Sequence, residues 1–292
     1  MDQAFSVKNL SFLLKEDRKK GGRLEEIYIP SAFSVRLKIY EIKKMWSFFR
    51  YKLRVGIITE AAYLKRGIRV EAVLAGREIQ HKKLVNSELE RISKLIIKKE
   101  FRVKISLLPS TIGGKKVYGI GNNLDQILAV RFIQHTLKTV YEVKMPPRDI
   151  LVSQIKSLAL DGVPKYIIKA DVEQFYESIR HKDLLDGIHQ DPELSIVVKR
   201  ILTRLIKDYV NVSGDDKGLP RGIGVSAYLS EIYLNEIDKK IKTQNDLFYY
   251  CRYVDDIILM YSPERKDAIT SYLPTFCEIL KSKGLNINSK SV

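Results

Sequence analysis

The sequence predicts an α+β fold in which an antiparallel sheet is backed by helices. Residues 1–100 have mostly helical patterns interrupted by loops. After residue 100, short apolar runs are separated by turn residues, which is typical of strands joined as hairpins. The chain has 292 residues, enough for one large domain or two modest ones.

The composition argues against a disordered, membrane-spanning or disulfide-rich protein. Hydrophobic residues make up 45% of the chain and charged residues 29%, a globular balance. No apolar run is long enough to span a membrane, and the first residues lack a signal-peptide pattern. The two cysteines, Cys251 and Cys277, cannot build a disulfide framework and lack the spacing of a zinc site. These features predict a cytoplasmic protein without a membrane partner.

The net charge of +16 is unevenly distributed along the chain. Residues 1–150 contain 31 basic and 15 acidic residues, whereas residues 151–292 contain 20 of each. This asymmetry suggests a polyanionic partner, most simply nucleic acid, or an anionic surface. A solvated basic face kept for solubility is the alternative.

Within the basic half, the segment from Ile39 to Leu53 mixes aromatic residues with lysine and arginine. Basic side chains supply phosphate contacts, and aromatic rings stack on bases. The alternative is an ordinary helix with a buried aromatic face and a basic outer face. We expect the alternative to hold for most of the aromatic residues.

A β-hairpin and a helix are predicted next. Residues 101–107 alternate between apolar and polar types, which indicates a strand with one wet face. Residues 111–114 contain a Gly-Gly turn, and residues 115–120 return as a second strand. An apolar helix is predicted from about Leu124 to Thr139, and the prolines at 146–147 mark a boundary.

Three short apolar runs in the second half predict buried strands, at residues 166–170, 247–250 and 257–261. The first run leads into Asp171. A Gly/Pro loop at residues 215–224 precedes a helix that begins near Val225. The last two runs flank Tyr253-Val254-Asp255-Asp256, which places these four residues at or near a hairpin turn.

Three carboxylates stand at the ends of these strands. Adjacent like charges at Asp255 and Asp256 repel each other unless a cation lies with them. If the strand that ends in Asp171 neighbours this hairpin, Asp171 and Asp255 can share a pair of Mg²⁺ ions. Such a two-metal site clamps the attacking and leaving oxygens in phosphoryl or nucleotidyl transfer.

Five blocks occur in a fixed order along the chain, at residues 113–120, 171–176, 218–227, 252–256 and 284–290. They contain Gly-Gly-Lys-Lys, Asp followed by Phe-Tyr, Pro-Arg-Gly, Tyr-Val-Asp-Asp and Gly-Leu-Asn-Ile-Asn. In these blocks the sequence resembles the reverse transcriptases (RNA-directed DNA polymerases). The similarity is greatest to the bacterial group II intron, retron and abortive-infection (phage-defence) branch. It extends from about Phe101 to Lys290, nearly two thirds of the chain.

The chain departs from the family pattern at several positions. Lys116 stands where the family usually has Arg, and Gly121 stands where it often has Pro. Arg221 replaces the usual Gln of the Pro-Gln-Gly block, and Ile223, Gly224 and Ala227 replace the common Ser-Pro and Pro positions. These departures fit the divergent defence-associated enzymes better than a typical intron enzyme.

The resemblance implies a role for each matching residue. The catalytic residues are Asp171, Asp255 and Asp256, which with the main chain at Val172 hold two Mg²⁺ ions for which Mn²⁺ can substitute. The nucleotide-binding residues are Lys115, Lys116, Tyr176, Arg221, Gly222 and Lys290. Tyr176 lies beneath the sugar and excludes a 2′-hydroxyl. Without the resemblance, the two lysines are interpreted as a solvated hairpin tip, Tyr176 as a core aromatic and Lys290 as a solvated lysine.

The implied fold is a right-hand polymerase palm with fingers. We expect a basic, mostly helical N-terminal extension of the fingers at residues 1–100, a fingers hairpin and helix at 101–145, and a palm at 146–292. The family normally continues with a primer-grip hairpin and a helical thumb. Because this sequence ends two residues after Lys290, we expect the chain to lack a thumb, which a homo-oligomer, another chain or a further region would supply.

The implied activity is extension of a 3′-hydroxyl with dNTPs on an RNA template, with a DNA product, in a phage-defence or retroelement setting. Two alternatives remain open. One is template-independent or protein-primed DNA synthesis, which the change at Arg221 favours. The other is a catalytically silent nucleic-acid-binding module, which three mutually repelling aspartates argue against. Glu173 and Glu177 are interpreted as ordinary helix-face charges.

Overall fold

The structure is a computed structural model that describes residues 2–143 and 147–288. The chain folds as two compact units. The smaller unit comprises residues 4–101 and 122–132. The larger unit comprises the described parts of residues 1–3, 102–121 and 133–292. The predicted three-part division at residues 100 and 145 stays a prediction.

The smaller unit is helical, as its sequence pattern predicts, with helices α1 (Val7–Lys19), α2 (Leu24–Tyr28), α3 (Pro30–Arg54) and α4 (Glu60–Ile97). The side chains of Ser6 and Thr59 cap α1 and α4 by accepting backbone N–H groups of the first turn. Leu10, Leu89 and Ile92 are fully buried in its core.

One expectation for this unit is wrong. The aromatic residues of α3 do not form a buried face, because Tyr40, Phe48 and Tyr51 are each more than half exposed. The buried positions of α3 lie in its first half, at Ala32, Val35 and Ile39. Helical periodicity identifies the apolar positions of a helix, but it does not say which of them another element covers.

The larger unit begins with an antiparallel hairpin of β1 (Ile105–Ile112) and β2 (Lys115–Ile120). The turn is Gly113-Gly114, where both residues have positive φ, as a two-residue hairpin turn requires. The predicted strand at 101–107 is wrong at its start. Ile105 pairs with Ile120, the last residue of β2, so β1 begins at Ile105 and residues 101–104 lie outside the strand.

Further helices follow in the described part of the chain. They are α5 (Leu124–Val140), α6 (Arg148–Ala159), α7 (Phe175–Ser178), α8 (His181–Gln190), α9 (Ile196–Ser213), α10 (Val225–Lys242) and α11 (Ile269–Ser282). Within residues 2–143 and 147–288, no helix is both long enough and apolar enough to cross a membrane.

A three-stranded antiparallel sheet forms the centre of the larger unit, from β3 (Tyr166–Asp171), β4 (Leu247–Tyr253) and β5 (Asp256–Tyr261). The strand order is β3-β5-β4. Tyr261 of β5 stacks on Tyr272 of α11, with ring centroids 4.2 Å apart. Tyr250 of β4 donates a hydrogen bond of 2.6 Å to Asp238 of α10. The predicted antiparallel sheet backed by helices is therefore confirmed.

Candidate active site

The register of β3 and β5 brings the predicted catalytic aspartates to one end of the sheet. Asp171, the last residue of β3, lies directly opposite Asp256, the first residue of β5. The backbone N–H of Val172 donates to the carbonyl oxygen of Asp255 at 3.1 Å. The condition set by the sequence, that the strand ending in Asp171 neighbours the Asp-Asp hairpin, is met.

The hairpin that carries Asp255 has a constrained backbone. Val254 adopts φ of 59°, a left-handed conformation that is costly for a β-branched residue. The guanidinium of Arg252 donates to the Val254 carbonyl at 3.2 Å and to the carboxylates of Glu231 at 2.7 Å and Asp238 at 2.9 Å. The Arg252 side chain is only 8% exposed. This buried network anchors the turn next to Asp255, and sequence reasoning missed it.

The electrostatics around Asp255 disfavour its negative charge. Burial raises the pKa of Asp255, and the charges of Asp171 and Asp256 raise it further, against a backbone hydrogen bond and the charge of Arg221. Among the described residues, no lysine or arginine forms an ion pair with any of the three aspartates. A cation other than these side chains is therefore needed to offset the repulsion among the three carboxylates.

The donor set fits a divalent ion only in part. Carboxylate oxygens suit Mg²⁺ and Mn²⁺. Within the described residues, however, no three His, Cys, Asp or Glu side chains form a cluster that could hold a metal ion. Asp256 also lines a cavity of about 370 Å³ with Lys169, Tyr253 and Ile258. A metal ion here would need water, backbone or substrate phosphate oxygens to complete its coordination, as Mg²⁺ usually does.

The C-terminal block runs beside Asp171. The backbone N–H of Asn288 donates to the Asp171 carbonyl at 2.8 Å, and Ile287 forms an antiparallel bridge with Val172. The Asn288 amide is 3.5 Å from the Asp171 carboxylate. The fifth block is thus held against Asp171, the first of the predicted catalytic aspartates. Lys290, predicted to bind nucleotide, lies outside the described residues.

The interpretation of Glu177 as an ordinary surface charge is wrong. Its carboxylate accepts from Lys115 of β2 at 3.0 Å and from Arg221 at 3.0 Å. Burial raises the pKa of Glu177, but these two hydrogen bonds outweigh burial and hold the pKa below its usual value. Glu177 therefore links two predicted nucleotide-binding residues. No local pattern signals this, because its partners are 62 and 44 residues away.

Tyr176 and Arg221 lie together beside Asp255. The Arg221 guanidinium carbon is 4.9 Å from the centroid of the Tyr176 ring, a cation–π distance. Burial raises the pKa of the Tyr176 hydroxyl. The charge of Asp255 also raises this pKa, whereas the charge of Arg221 lowers it. In the described part of the chain, the Nε of Arg221 is buried without a hydrogen-bond partner. An acceptor atom of a ligand would satisfy this N–H.

Gly222 explains why the loop after Pro220 lies close to the hairpin. Its φ is 97°, and a Cβ atom there would come within 2.6 Å of Val117 and 2.7 Å of the Tyr118 carbonyl. The backbone N–H of Tyr118 donates to the Arg221 carbonyl at 2.7 Å. Only glycine permits this approach. Lys116, in contrast, is exposed on β2.

Solved structures with partial similarity to this chain include two telomerases. One is apo telomerase from Candida tropicalis truncated from its C-terminal domain, with 17% identity and a TM-score of 0.44 over 66% of this chain and 50% of that chain. The other is telomerase from Candida albicans in complex with a TWJ fragment of telomeric RNA, with 13% identity and a TM-score of 0.41 over 68% and 43%. The chain thus spans half or less of each of these structures.

No curated protein matches the chain. The family model described as reverse transcriptase (RNA-dependent DNA polymerase) matches residues 92–291, more than half of the chain. The helices and antiparallel sheets of this chain have the mixed architecture of a polymerase palm and fingers. The chain belongs to the reverse transcriptase (RNA-dependent DNA polymerase) family of nucleotidyltransferases.

Proposed function

We propose that this protein is an RNA-directed DNA polymerase that extends a 3′-hydroxyl with dNTPs. The observation that carries the proposal is the placement of Asp171 opposite Asp256, with Asp255 in the adjoining turn and no cationic partner for any of them among the described residues. Family membership supports the same reaction class. The substrates are then an RNA template, a primer and dNTPs.

Asp171 and Asp255, with the Asp256 side chain and the Val172 main chain in support, are the proposed ligands of two Mg²⁺ ions. When bound, the ions would activate the 3′-hydroxyl and neutralise charge on the leaving pyrophosphate. The chain's own contribution is to hold these oxygens in register. The Val172–Asp255 hydrogen bond and the Arg252 network fix the turn relative to β3.

The proposed nucleotide site lies beside the aspartates. Lys115 and Arg221 face each other across Glu177, so a triphosphate that pairs with both would compete with that carboxylate. The Nε of Arg221, which has no hydrogen-bond partner within residues 2–143 and 147–288, is the proposed donor to a phosphate oxygen. Tyr176, half-buried under Arg221, is the proposed steric barrier to a 2′-hydroxyl. Lys116 and Lys290 remain proposed phosphate contacts.

A second candidate is DNA synthesis that does not copy a template or that uses a protein primer. The observation that favours it is Arg221, which stands where the family usually has a glutamine that touches the template and incoming base pair. In this chain the Arg221 side chain is engaged by Glu177 and Tyr176. An arginine held in this way is poorly placed to form a hydrogen bond with a templating base.

We also infer a bacterial phage-defence or retroelement setting. The departures at Arg221, Ile223 and Gly224 support it. Plaque counts on bacterial cells that express the wild type or the Asp255→Asn variant test the defence role. We expect fewer plaques only with the wild type, and equal plaque counts would contradict the defence role.

Incorporation of labelled dNTPs tests the polymerase activity. The wild type, Asp171→Asn and Asp255→Asn are compared with Mg²⁺ or Mn²⁺, with and without an RNA template and DNA primer. The control Asp186→Asn removes an exposed carboxylate of α8. We expect template-dependent synthesis by the wild type and the control, and its loss in the two site variants. Synthesis that ignores the template would favour the second candidate, and full activity in Asp255→Asn would rule out the proposed site.

A further inference from the structure

The outer part of the α3–α4 pair has no core of its own. We define the distal arm as residues 40–83, which comprise the end of α3, its connection and the start of α4. Among these described residues only Gly67 is buried, whereas both helices bury apolar residues closer to the unit's core, such as Ile39 and Val85. The arm lies outside residues 92–291, which match the reverse transcriptase family. The proposed polymerase site therefore leaves the arm without a role.

Several aromatic rings of the distal arm are exposed. Tyr40, Phe48 and Tyr51 are 65%, 56% and 55% exposed. Phe48 and Tyr51 lie nearly parallel, with an angle of 18° between their planes. The Lys52 ammonium is 4.8 Å from the Phe48 ring centroid. Exposed rings with adjacent cations are the usual components of a base-stacking surface.

The arm is also strongly basic. Residues 43–69 contain eight lysine and arginine residues and one acidic residue. Lys43 pairs with Glu78 at 2.7 Å, which ties α3 to α4. Arg50, Arg54 and Arg69 are exposed and have no carboxylate partner among the described residues. Their charges are available to an anion outside the chain.

Two inward-facing aromatic residues hold the helices together. Trp46 of α3 stacks on Tyr63 of α4, with ring centroids 4.5 Å apart and planes 16° from parallel. Gly67 faces Trp46 closely, since a Cβ atom at Gly67 would lie 3.4 Å from the indole ring. Arg66 lies over Phe49 at 4.9 Å. The exposed rings and charges thus stand on a paired-helix support rather than on an unstructured tail.

We propose that the distal arm is a binding site for single-stranded nucleic acid, separate from the proposed polymerase site. The phosphates would pair with the arginines and lysines, and the bases would stack on Phe48, Tyr51 and Tyr40. Charge complementarity favours this occupant over a second copy of the chain, because two arms of the same positive charge repel each other.

Binding of a fluorescein-labelled oligouridine RNA to the full chain tests the proposal. Fluorescence anisotropy is measured in EDTA without dNTPs, so the result does not depend on polymerase activity. The aromatic variant Phe48→Ala/Tyr51→Ala should weaken binding by about 5- to 150-fold per stacked ring without changing the salt dependence. The charge variant Arg50→Gln/Arg54→Gln should lower the slope of log K against log salt by about 0.7 for each phosphate that the variant no longer neutralises.

Two control variants remove exposed apolar side chains or exposed positive charges outside the arm. Leu160→Ala/Ile196→Ala removes two exposed apolar side chains, and Lys239→Gln/Lys240→Gln removes two exposed charges of α10. Both should bind RNA like the wild type. Circular dichroism checks that the arm variants fold. We expect them to fold because the changed residues are exposed.

The proposal is overturned if both arm variants bind the RNA as tightly as the wild type, or if the controls weaken binding as much as the arm variants. Light scattering, which measures molecular mass in solution, tests whether the arm instead joins copies of the chain. If the aromatic variant lowers the molecular mass of the protein in solution and leaves RNA binding intact, the arm is a contact between copies of the chain instead.

Discussion

At the scale of single residues, Arg252 connects the fold to the proposed chemistry. It is the one residue that hydrogen-bonds, within the described chain, to the carbonyl of the strained Val254 and to two carboxylates of α10. Glu231 and Asp238 are themselves largely buried, with 15% and 18% of their side chains exposed. Removing the guanidinium would therefore leave two carboxylates without the cation that neutralises them.

We expect Arg252→Met to lower the free energy of unfolding by about 3–5 kcal/mol, the cost of breaking one partner out of a buried ion pair. Urea denaturation measures this loss. Arg252→Lys keeps the charge but loses the planar fork, so it should retain most of the stability yet lower kcat more than it raises KM. The triple variant Arg252→Met/Glu231→Gln/Asp238→Asn should regain part of the stability. No gain in the triple variant would show that the network does not act as a unit.

Tyr176 carries the residue-scale prediction for substrate choice. If its ring excludes the 2′-hydroxyl, Tyr176→Ala should lower the preference for dNTPs over rNTPs by tenfold or more, about 1.4 kcal/mol of discrimination. Tyr176→Phe keeps the ring and should keep the preference. Competition between labelled dNTP and rNTP measures the ratio of kcat/KM. An unchanged ratio in Tyr176→Ala would remove Tyr176 from the proposed nucleotide site.

At the scale of elements, the β1–β2 hairpin is tied to the glycine-rich loop before α10. Gly222 allows the backbone contact, and Glu177 adds the side-chain contact by accepting from Lys115 and Arg221. The hairpin and the loop come from segments that are about 100 residues apart in sequence. Their junction therefore depends on a few specific groups.

The pH dependence of stability should report the Glu177 pairing. Because the folded-state pKa of Glu177 lies below its unfolded value near 4.3, its charged form stabilises the fold above about pH 4.3, and this contribution is lost as pH falls through the folded pKa. Urea denaturation should show the wild type more stable than Glu177→Gln at pH 7, with the difference shrinking at acidic pH. The control Glu173→Gln, an exposed carboxylate nearby, should show no such difference. A difference that grows on acidification would have the wrong sign for this pairing.

The elements with a local signature were predictable from the sequence. The glycine pair at 113–114 and the apolar runs around Asp171 and Asp255 predict the hairpins and the neighbouring strands that the structure contains. Contacts between distant segments were not predictable. The start of β1 depends on where β2 ends, and the exposure of the α3 aromatics depends on what covers the helix.

At the scale of the whole molecule, the net positive charge is confined to the first half of the sequence. Residues 1–150 carry the whole excess of positive charge, whereas residues 151–292 are neutral overall and contain the three aspartates. A basic half is suited to polyanionic template and triphosphate. A neutral half that concentrates like charges at one point carries a local electrostatic cost, since burial and neighbouring charges raise the pKa of Asp255.

The stability of the whole chain should therefore respond to divalent ions through this site. In EDTA at pH 7 the charged form of Asp255 is disfavoured, so Asp255→Asn should unfold at a higher temperature than the wild type. Adding Mn²⁺ should reverse the order. An ion that binds only the folded wild type stabilises it by about 2.7 kcal/mol at 100 times its dissociation constant, and the variant gains less because it has lost a ligand. Calorimetry with and without Mn²⁺ measures both effects, with Asp186→Asn as the control that should follow the wild type. Equal stabilisation of Asp255→Asn and the wild type by Mn²⁺ would mean that the ion binds elsewhere, and the proposed catalytic site would lose its metal.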